Sequence, residues 1–378
     1  MDVNYLLKPD RRKEPFRPTE VLPFGELRTD HVFVREYRDG AWQKGVIKPY
    51  DSNPQIMWGA KGLSYSMGCF EGSGARRLPD GKIYTFRFAE SAKRMNKSAT
   101  RLVLPHIPEE EQMEAVHHLI DVERLWYPEQ EGAYFYVRPV LVATQDCAKV
   151  GKSKEFKYYV FVSPSSAYFP QGFQAASYLI TDRFHRAAPG GTGNTKASAN
   201  YAGTILPKEL AGRLGALEVL YLDVTNTWIE EYGAMNFFHV TRDGIIHIPS
   251  FSDTILESIT ARSFLELPER MKRELGHEII QEPVRLNRLM EGLRNGDITE
   301  AGGLGTAAGV SPVGKYFVDF GRKNKLEDLS TESIGEQMVG DSNAGRVSTR
   351  MFNLLTDIRT GRREAPKGWL EEVARLDI

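Results

Sequence analysis

The segment from Arg186 to Ala202 reads Arg-Ala-Ala-Pro-Gly-Gly-Thr-Gly-Asn-Thr-Lys-Ala-Ser-Ala-Asn-Tyr-Ala. Its amine, Lys196, follows a flexible glycine turn, precedes a run of small residues and has Tyr201 five positions on. A lysine in this setting can serve as a covalent amine nucleophile; the ordinary alternative is a solvated surface charge. Four other places can carry chemistry. Glu230 and Glu231 close a strand just before a Tyr-Gly turn, where a carboxylate can face a cationic nitrogen or simply meet solvent. Arg94 lies on the polar side of a helix beside Ser91 and Ser98, an arrangement that suits an anion or plain surface. Ser258 opens a helix as its N-cap, and the free N–H groups of such an end favour a phosphate, as every helix start does. Gly302–Gly309 reads as a loop that either lets the backbone approach an anion or makes a tight turn.

Several familiar motifs do not fit. Gly190–Lys196 is not a P-loop, because Thr195 and Ala197 replace the glycine and hydroxyl residue that should flank the lysine. The glycines at 303–309 lack the preceding strand and ribose-binding acid of a dinucleotide site. His277-Glu278 has no second histidine at metalloprotease spacing, and no Cys/His cluster suggests zinc, so no metal is expected.

A chain of 378 residues with 41% hydrophobic content can bury a large core and divide into two domains. Its 49 Lys and Arg nearly cancel 50 Asp and Glu, so no strong field draws nucleic acid or an anionic membrane. The two cysteines, Cys69 and Cys147, cannot build a disulfide framework. Residues 1–20 lack the apolar segment of a secretory signal, and apolar runs such as Tyr158–Val162 are far too short for a bilayer. A soluble, cytoplasmic protein is expected.

The elements that must position these groups follow from periodicity and turn residues. Residues 1–30 read as a poorly structured extension. Strands are expected at His31–Tyr37 and Ile83–Phe86, the latter after a Pro-Asp-Gly turn at 79–81. Helices are expected at about 88–102, with Ala92, Met95, Ala99 and Leu102 at helical spacing, and at 109–125. The strands Tyr134–Ala143 and Lys157–Val162 come next. The segment Ser163–Gly172, dense in proline, serine and glycine, marks a boundary. A first domain then covers 31–165, a linker 166–176 and a second domain 177–378. In the second, strands are expected at Leu217–Val224, Thr227–Glu231, Met235–Thr241 and Ile245–Ile248, with a hairpin turn at Arg242–Gly244. Helices are expected near 258–275, 284–293 and 333–358. Strands and helices mix without regular alternation, which favours an α+β (mixed α/β) fold over a doubly wound sheet.

Taken in order, many short motifs resemble the class IV pyridoxal-phosphate aminotransferases, and most of all the branched-chain amino acid aminotransferases. They are Leu63-Ser-Tyr-Ser-Met-Gly-Cys-Phe-Glu-Gly72, Phe86-Arg87 through Arg94-Met-Asn-Lys-Ser-Ala99, Tyr134-Phe-Tyr-Val-Arg-Pro139, and Ser163-Pro164 through Tyr168-Phe-Pro170. They continue with Gly190-Gly-Thr-Gly193 through Lys196, Asn200-Tyr-Ala202, Glu218–Asp223, Glu231 through Phe237, Gly305-Thr-Ala-Ala308, Ser311-Pro-Val313 and Gly368-Trp-Leu370. The resemblance implies the two-domain fold-type IV architecture of the D-amino acid aminotransferase kind. It implies transamination of leucine, isoleucine and valine with 2-oxoglutarate, and pyridoxal 5'-phosphate as cofactor.

Carried over by position, Lys196 is the Schiff-base lysine, the amine that condenses with the cofactor aldehyde and moves the proton. Glu231 faces the ring nitrogen, Tyr201 the phenolic oxygen, and Arg94 the phosphate with the backbone amides of Ile259 and Thr260 and with Thr306. Tyr65, Phe70, Tyr136 and Tyr168 line an apolar substrate pocket. Ala307, Ala308, Tyr136 and Arg138 receive the substrate carboxylate. A homodimer is implied, the loop near Thr144–Gly151 completing the partner's site.

The chain departs from the family pattern at Ser73-Gly74-Ala75, where a bulky aliphatic and a basic residue are usual. It departs again at Leu256-Glu-Ser-Ile-Thr-Ala261, which lacks the usual proline, glycine and arginine; the redox Cys-x-x-Cys of some relatives is replaced at Ala308 and Ser311. The alternatives are a D-amino acid or amine aminotransferase, an aminodeoxychorismate lyase, and a non-catalytic scaffold.

Overall fold

Two long runs rich in aromatic and β-branched residues, Tyr134–Ala143 and Phe156–Ser165, form the central hairpin of an antiparallel sheet, Tyr134 opposite Ser165 and Ala143 opposite Phe156. His31–Arg38 pairs with the second of these, Phe33 against Val160. The computed structural model describes residues 1–167, 172–322 and 325–376. Two compact units result. One holds Met1–Pro170 together with Thr195–Ala199 and Arg359–Ile378; the other holds Gln171–Asn194 and Asn200–Ile358. Among the described residues no helix is long and apolar enough to cross a membrane.

In the first unit, helix Phe88–Leu102 buries Ala92, Met95 and Ala99, as their spacing predicts. It stops where Val103 turns left-handed, φ 57°, two residues before Pro105. Helix Glu109–Val122 adds Ala115, Val116, Leu119 and Ile120 to a core shared with Phe33, Phe135 and Val160. Residues 1–30 are more ordered than expected. Val3–Tyr5 runs parallel to Gly45–Ile47, and the Arg12 guanidinium sits 4.2 Å from the Trp126 ring centre. The physical reason is apolar: Val3, Tyr5 and Leu7 pack on the edge of the core. At the other end of the chain, Leu370–Glu372 pairs with Tyr84–Phe86. Trp369 stands edge-on to Phe86 at 5.8 Å, with the Arg87 guanidinium 4.7 Å from its ring. The Gly368-Trp-Leu370 motif thus packs beside Phe86 and Arg87.

In the second unit six strands close into a ring. Ala176–Thr181 lies between parallel neighbours, Val219–Leu222 and Gly309–Asp319. Val219–Leu222 pairs with Trp228–Tyr232, which meets Asn236–Thr241 through Glu231 and Asn236. Ile298–Gly305 then joins Asn236–Thr241 to Gly309–Asp319. The hairpin turn at Arg242–Gly244 is present, with the Gly244 N–H donating to Thr241 O at 2.8 Å.

Three expectations are corrected here. Gly302–Gly305 is strand, and only Thr306–Ala308 forms the turn. Its glycines are required by packing: a Cβ on Gly302 would lie 2.5 Å from the Phe238 ring, and one on Gly303 2.9 Å from Met235. The helix expected over 258–275 is two, Ile259–Leu265 and Glu269–Leu275, because Pro268 cannot continue the first. The helix expected over 333–358 is a strand, Gly335–Met338, followed by helix Arg346–Arg359.

His239 and His247 oppose each other across two strands of this unit, their rings stacked at 4.5 Å and 5°. Burial and then the neighbouring His247 push His239 down to about 3. The unfolded chain therefore binds a proton here first, near the ordinary histidine value. The contribution is fully present above about pH 6.5 and is lost as pH falls toward the folded value. In urea unfolding followed against pH, His239→Phe should flatten this acid-side slope, which one such group sets at up to about 1.4 kcal/mol per pH unit. An unchanged slope would assign the acid lability elsewhere.

Candidate active site

The face of helix Phe88–Leu102 that carries Ser91, Arg94 and Ser98 is buried, although its polarity marks it as surface in sequence. Two distant segments dock on it. Arg94 Nε and Nη2 donate to Glu71 Oε1 and Oε2 at 2.8 and 2.7 Å, a two-pronged pair whose side chains are 9% and 1% exposed. One helical turn on, Ser98 Oγ accepts the Lys196 N–H at 3.1 Å.

Lys196 is also held through its main chain. Its carbonyl accepts from Phe70 N at 3.2 Å, Ala197 bridges to Cys69, and Ser198 N donates to Gly68 O at 3.0 Å. The glycine-turn lysine of the sequence is thereby fastened beside the Gly68–Phe70 strand. Its Nζ lies 5.2 Å from the Phe70 ring centre, and the Arg138 guanidinium lies 4.5 Å from the same ring. Arg138 donates to the Tyr136 hydroxyl through Nε at 3.1 Å and Nη2 at 2.6 Å. Gly72 admits that hydroxyl, since a Cβ there would collide with it. Tyr65 is exposed, its hydroxyl donating to Ala148 O within the 144–151 segment. Tyr168 lies outside the described residues.

The remaining candidates belong to the second unit. Glu231 is buried where the strand ring closes. Its Oε1 accepts from Leu256 N at 3.0 Å and pairs with Arg186, while Oε2 accepts from Asn236 Nδ2 at 2.8 Å. Three donors suit the ionised, acceptor-only carboxylate. Asn236 also accepts from Ser258 N at 3.2 Å, and Ser258 Oγ accepts from Ala261 N at 3.1 Å, the N-cap that the sequence marks. Ile259 and Thr260 form the first turn of that helix and are buried. Tyr201 lies half-buried in the short helix Ala199–Ala202. Thr306, Ala307 and Ala308 make the turn between two ring strands.

The amino-transferase class IV family covers residues 68–316. The branched-chain-amino-acid aminotransferase of Haemophilus influenzae is 37% identical over 93% of this chain and 97% of its own. The branched-chain-amino-acid transaminase 1 of Bacillus subtilis is 31% identical over 93% and 94%. The chain belongs to the class IV aminotransferases. Solved structures agree in fold. The branched-chain amino acid aminotransferase of Escherichia coli superposes with a TM-score of 0.71 at 23% identity, over 91% of this chain and 99% of that one. That of Thermobaculum terrenum, solved in its PLP-form, gives 0.70 at 19% identity, over 92% and 100%. The mixed α/β, fold-type IV architecture is the one that the motifs imply.

Glu71, Arg186 and Asn236 were given no role from sequence, and Ser98 was read only as a polar neighbour of Arg94. Glu71 and Arg186 lie inside motifs read for other residues; a charge within an apolar or glycine-rich run was the available signal. The Lys196 partner of Ser98 comes from a remote segment, and Asn236 lies inside the motif read for Glu231. Glu71→Ala deprives the buried Arg94 of its carboxylate and should lower stability by about 3–5 kcal/mol. The urea midpoint, compared with that of the double variant Glu71→Leu/Arg94→Leu, checks this; the double variant should recover much of the loss.

Proposed function

We propose that the protein transfers the amino group of leucine, isoleucine and valine to 2-oxoglutarate, using pyridoxal 5'-phosphate and yielding branched-chain 2-oxo acids and L-glutamate. The observation that carries this reading is the Phe70 ring, flanked by the Lys196 amine at 5.2 Å and the Arg138 guanidinium at 4.5 Å. An amine, an apolar wall and a carboxylate-pairing cation are what an apolar amino acid requires. The names of the curated relatives point the same way.

The donor set suits the cofactor. Glu231, a buried carboxylate, would answer a cationic ring nitrogen, and Arg94, Thr306 and the backbone amides of Ile259 and Thr260 would answer a phosphate. Bound pyridoxal phosphate supplies an aldehyde that condenses with amines and a ring that delocalises the electron pair left at the substrate Cα. With the cofactor bound, Lys196 Nζ would take the proton from the substrate Cα and later give it back as an acid, so one amine would serve in both roles. Glu231 would hold the proton on the cofactor's ring nitrogen, and Tyr201 would donate to its phenolic oxygen. Thr306, Ala307 and Ala308, with the Tyr136 hydroxyl and Arg138, orient the substrate carboxylate. Phe70 would wall its side chain from water, and Tyr65 and Tyr168 are the further pocket candidates that the resemblance gives. An apolar pocket gains only about 1 kcal/mol per methylene, so all three aliphatic donors should react. We read the protein as a cytoplasmic homodimer in which the Thr144–Gly151 segment completes the partner's site; sedimentation velocity tests the dimer.

A coupled assay with 2-oxoglutarate should show turnover of L-leucine, L-isoleucine and L-valine, and little of D-alanine or aminodeoxychorismate. The reverse order moves the protein to another branch of the family, and no turnover of any donor makes it a scaffold. Lys196→Ala should reduce turnover of the aliphatic donors below detection. Arg94→Ala removes a charge-assisted bond of about 1.5–3 kcal/mol, so bound cofactor should be lost on dialysis some ten- to a hundredfold more readily. Retention equal to the parent's would refute the Arg94 assignment.

A further inference from the structure

Consecutive strand residues ordinarily face opposite sides of a sheet. Glu230 and Glu231 do not follow that rule. Leu220 pairs with Tyr232 and Leu222 with Ile229, so the two glutamates together oppose the single residue Tyr221. A bulge of this kind re-aims side chains, and here it lets both carboxyls answer to one cation. Arg186 pairs with Glu231 Oε1, and its charge also acts on Glu230. Arg186 is itself anchored, donating from Nη2 to Gly193 O at 2.9 Å and to Thr254 O at 2.5 Å.

The cluster is not optimised for stability. Glu230 is buried, and its Oε2 has no hydrogen-bond partner; nor does Arg186 Nε. A buried carboxyl with one oxygen left unpartnered is destabilising, and a glutamine or an apolar residue would fit a purely structural role better. Such a group beside a carboxylate already assigned to the chemistry points to that chemistry.

We propose that Arg186 and Glu230 are positioning residues for Glu231. Arg186 holds Glu231 Oε1 in one geometry, and Glu230, by gaining or losing a proton, sets how much of the Arg186 charge Glu231 feels. The proposal rests on Glu231 facing the cofactor ring nitrogen. Burial pushes Glu230 up to about 7, against the lowering influence of the Thr254 hydroxyl and Arg186; Glu231 and Asp223 add to the rise. Tyr221, opposite the bulge, can also titrate and is itself raised by burial. Below neutrality an uncharged Glu230 leaves Arg186 to Glu231. Above it, ionised Glu230 shares the guanidinium and repels Glu231, which then holds the ring-nitrogen proton more firmly.

The test is cofactor release from the purified holoenzyme, followed by absorbance on dialysis between pH 6 and 8, in the parent and in Glu230→Gln, Arg186→Gln and Arg186→Lys. The parent should show a step near neutrality of up to roughly tenfold. Glu230→Gln should be flat, Arg186→Gln should move the step to higher pH, and Arg186→Lys should restore it toward the parent's position. A readout free of cofactor accompanies this. A carboxyl raised on folding stabilises fully below its unfolded value and loses that contribution as pH rises through the folded one. Urea unfolding of the stripped protein should therefore weaken between about pH 4.5 and 7 in the parent and not in Glu230→Gln. Superimposable release profiles for the parent and Glu230→Gln would overturn the proposal while leaving the function intact. If Glu231→Gln releases cofactor like the parent, the reading of Glu231 fails and takes this one with it.

Discussion

A charge removed from water must be met by an opposite charge or by several donors, and stranding half of a buried pair costs about 3–5 kcal/mol. That constraint organises both units. Arg94 cannot sit buried on its helix without Glu71, so the turn after the Gly68–Phe70 strand is tied to the middle of helix Phe88–Leu102. With Ser98 one turn away receiving the Lys196 N–H, the same helix aligns two stretches of chain more than a hundred residues apart. The Lys196 amine is thus placed by its backbone, through neighbours that hold a strand and a helix.

The second unit applies the same rule to an anion. Glu231 lies at the pair that closes the strand ring, and the residue opposite it, Asn236, supplies a donor; Leu256 N and Arg186 supply the others. Because Asn236 also accepts from Ser258 N, the orientation of the carboxylate and the start of helix Ile259–Leu265 are set together. A change at Asn236 would act on both. The bulge adds Glu230 to the same cation, so closure of the sheet and the electrostatics of the site share the same residues.

Much of the local structure was legible. Helix Phe88–Leu102 follows from its apolar spacing, and the hairpin turns at 79–81 and 242–244 follow from Asp-Gly pairs that adopt left-handed glycine conformations. The errors share a cause. Gly302–Gly305 reads as a loop because glycine signals flexibility, whereas here its lack of a Cβ makes room for Phe238 and Met235. Residues 1–30 read as an extension because charge and proline dominate, whereas three apolar side chains suffice to dock their start. Packing against remote residues decided both, and no local pattern encodes it.

The order and composition of the motifs were enough to assign the chain to its family and to single out Lys196, Glu231 and Arg94 as candidates, because residue type limits what each can do. An amine can be a nucleophile, a carboxylate can answer a cation and a guanidinium an anion, wherever they lie. Tertiary structure alone decided which of them are buried and what meets them: Glu71 for Arg94, Asn236 and Arg186 for Glu231, Ser98 and Phe70 for the lysine backbone. Those partners come from distant segments, and the solvation energy that makes them necessary exists only once the chain has closed over them.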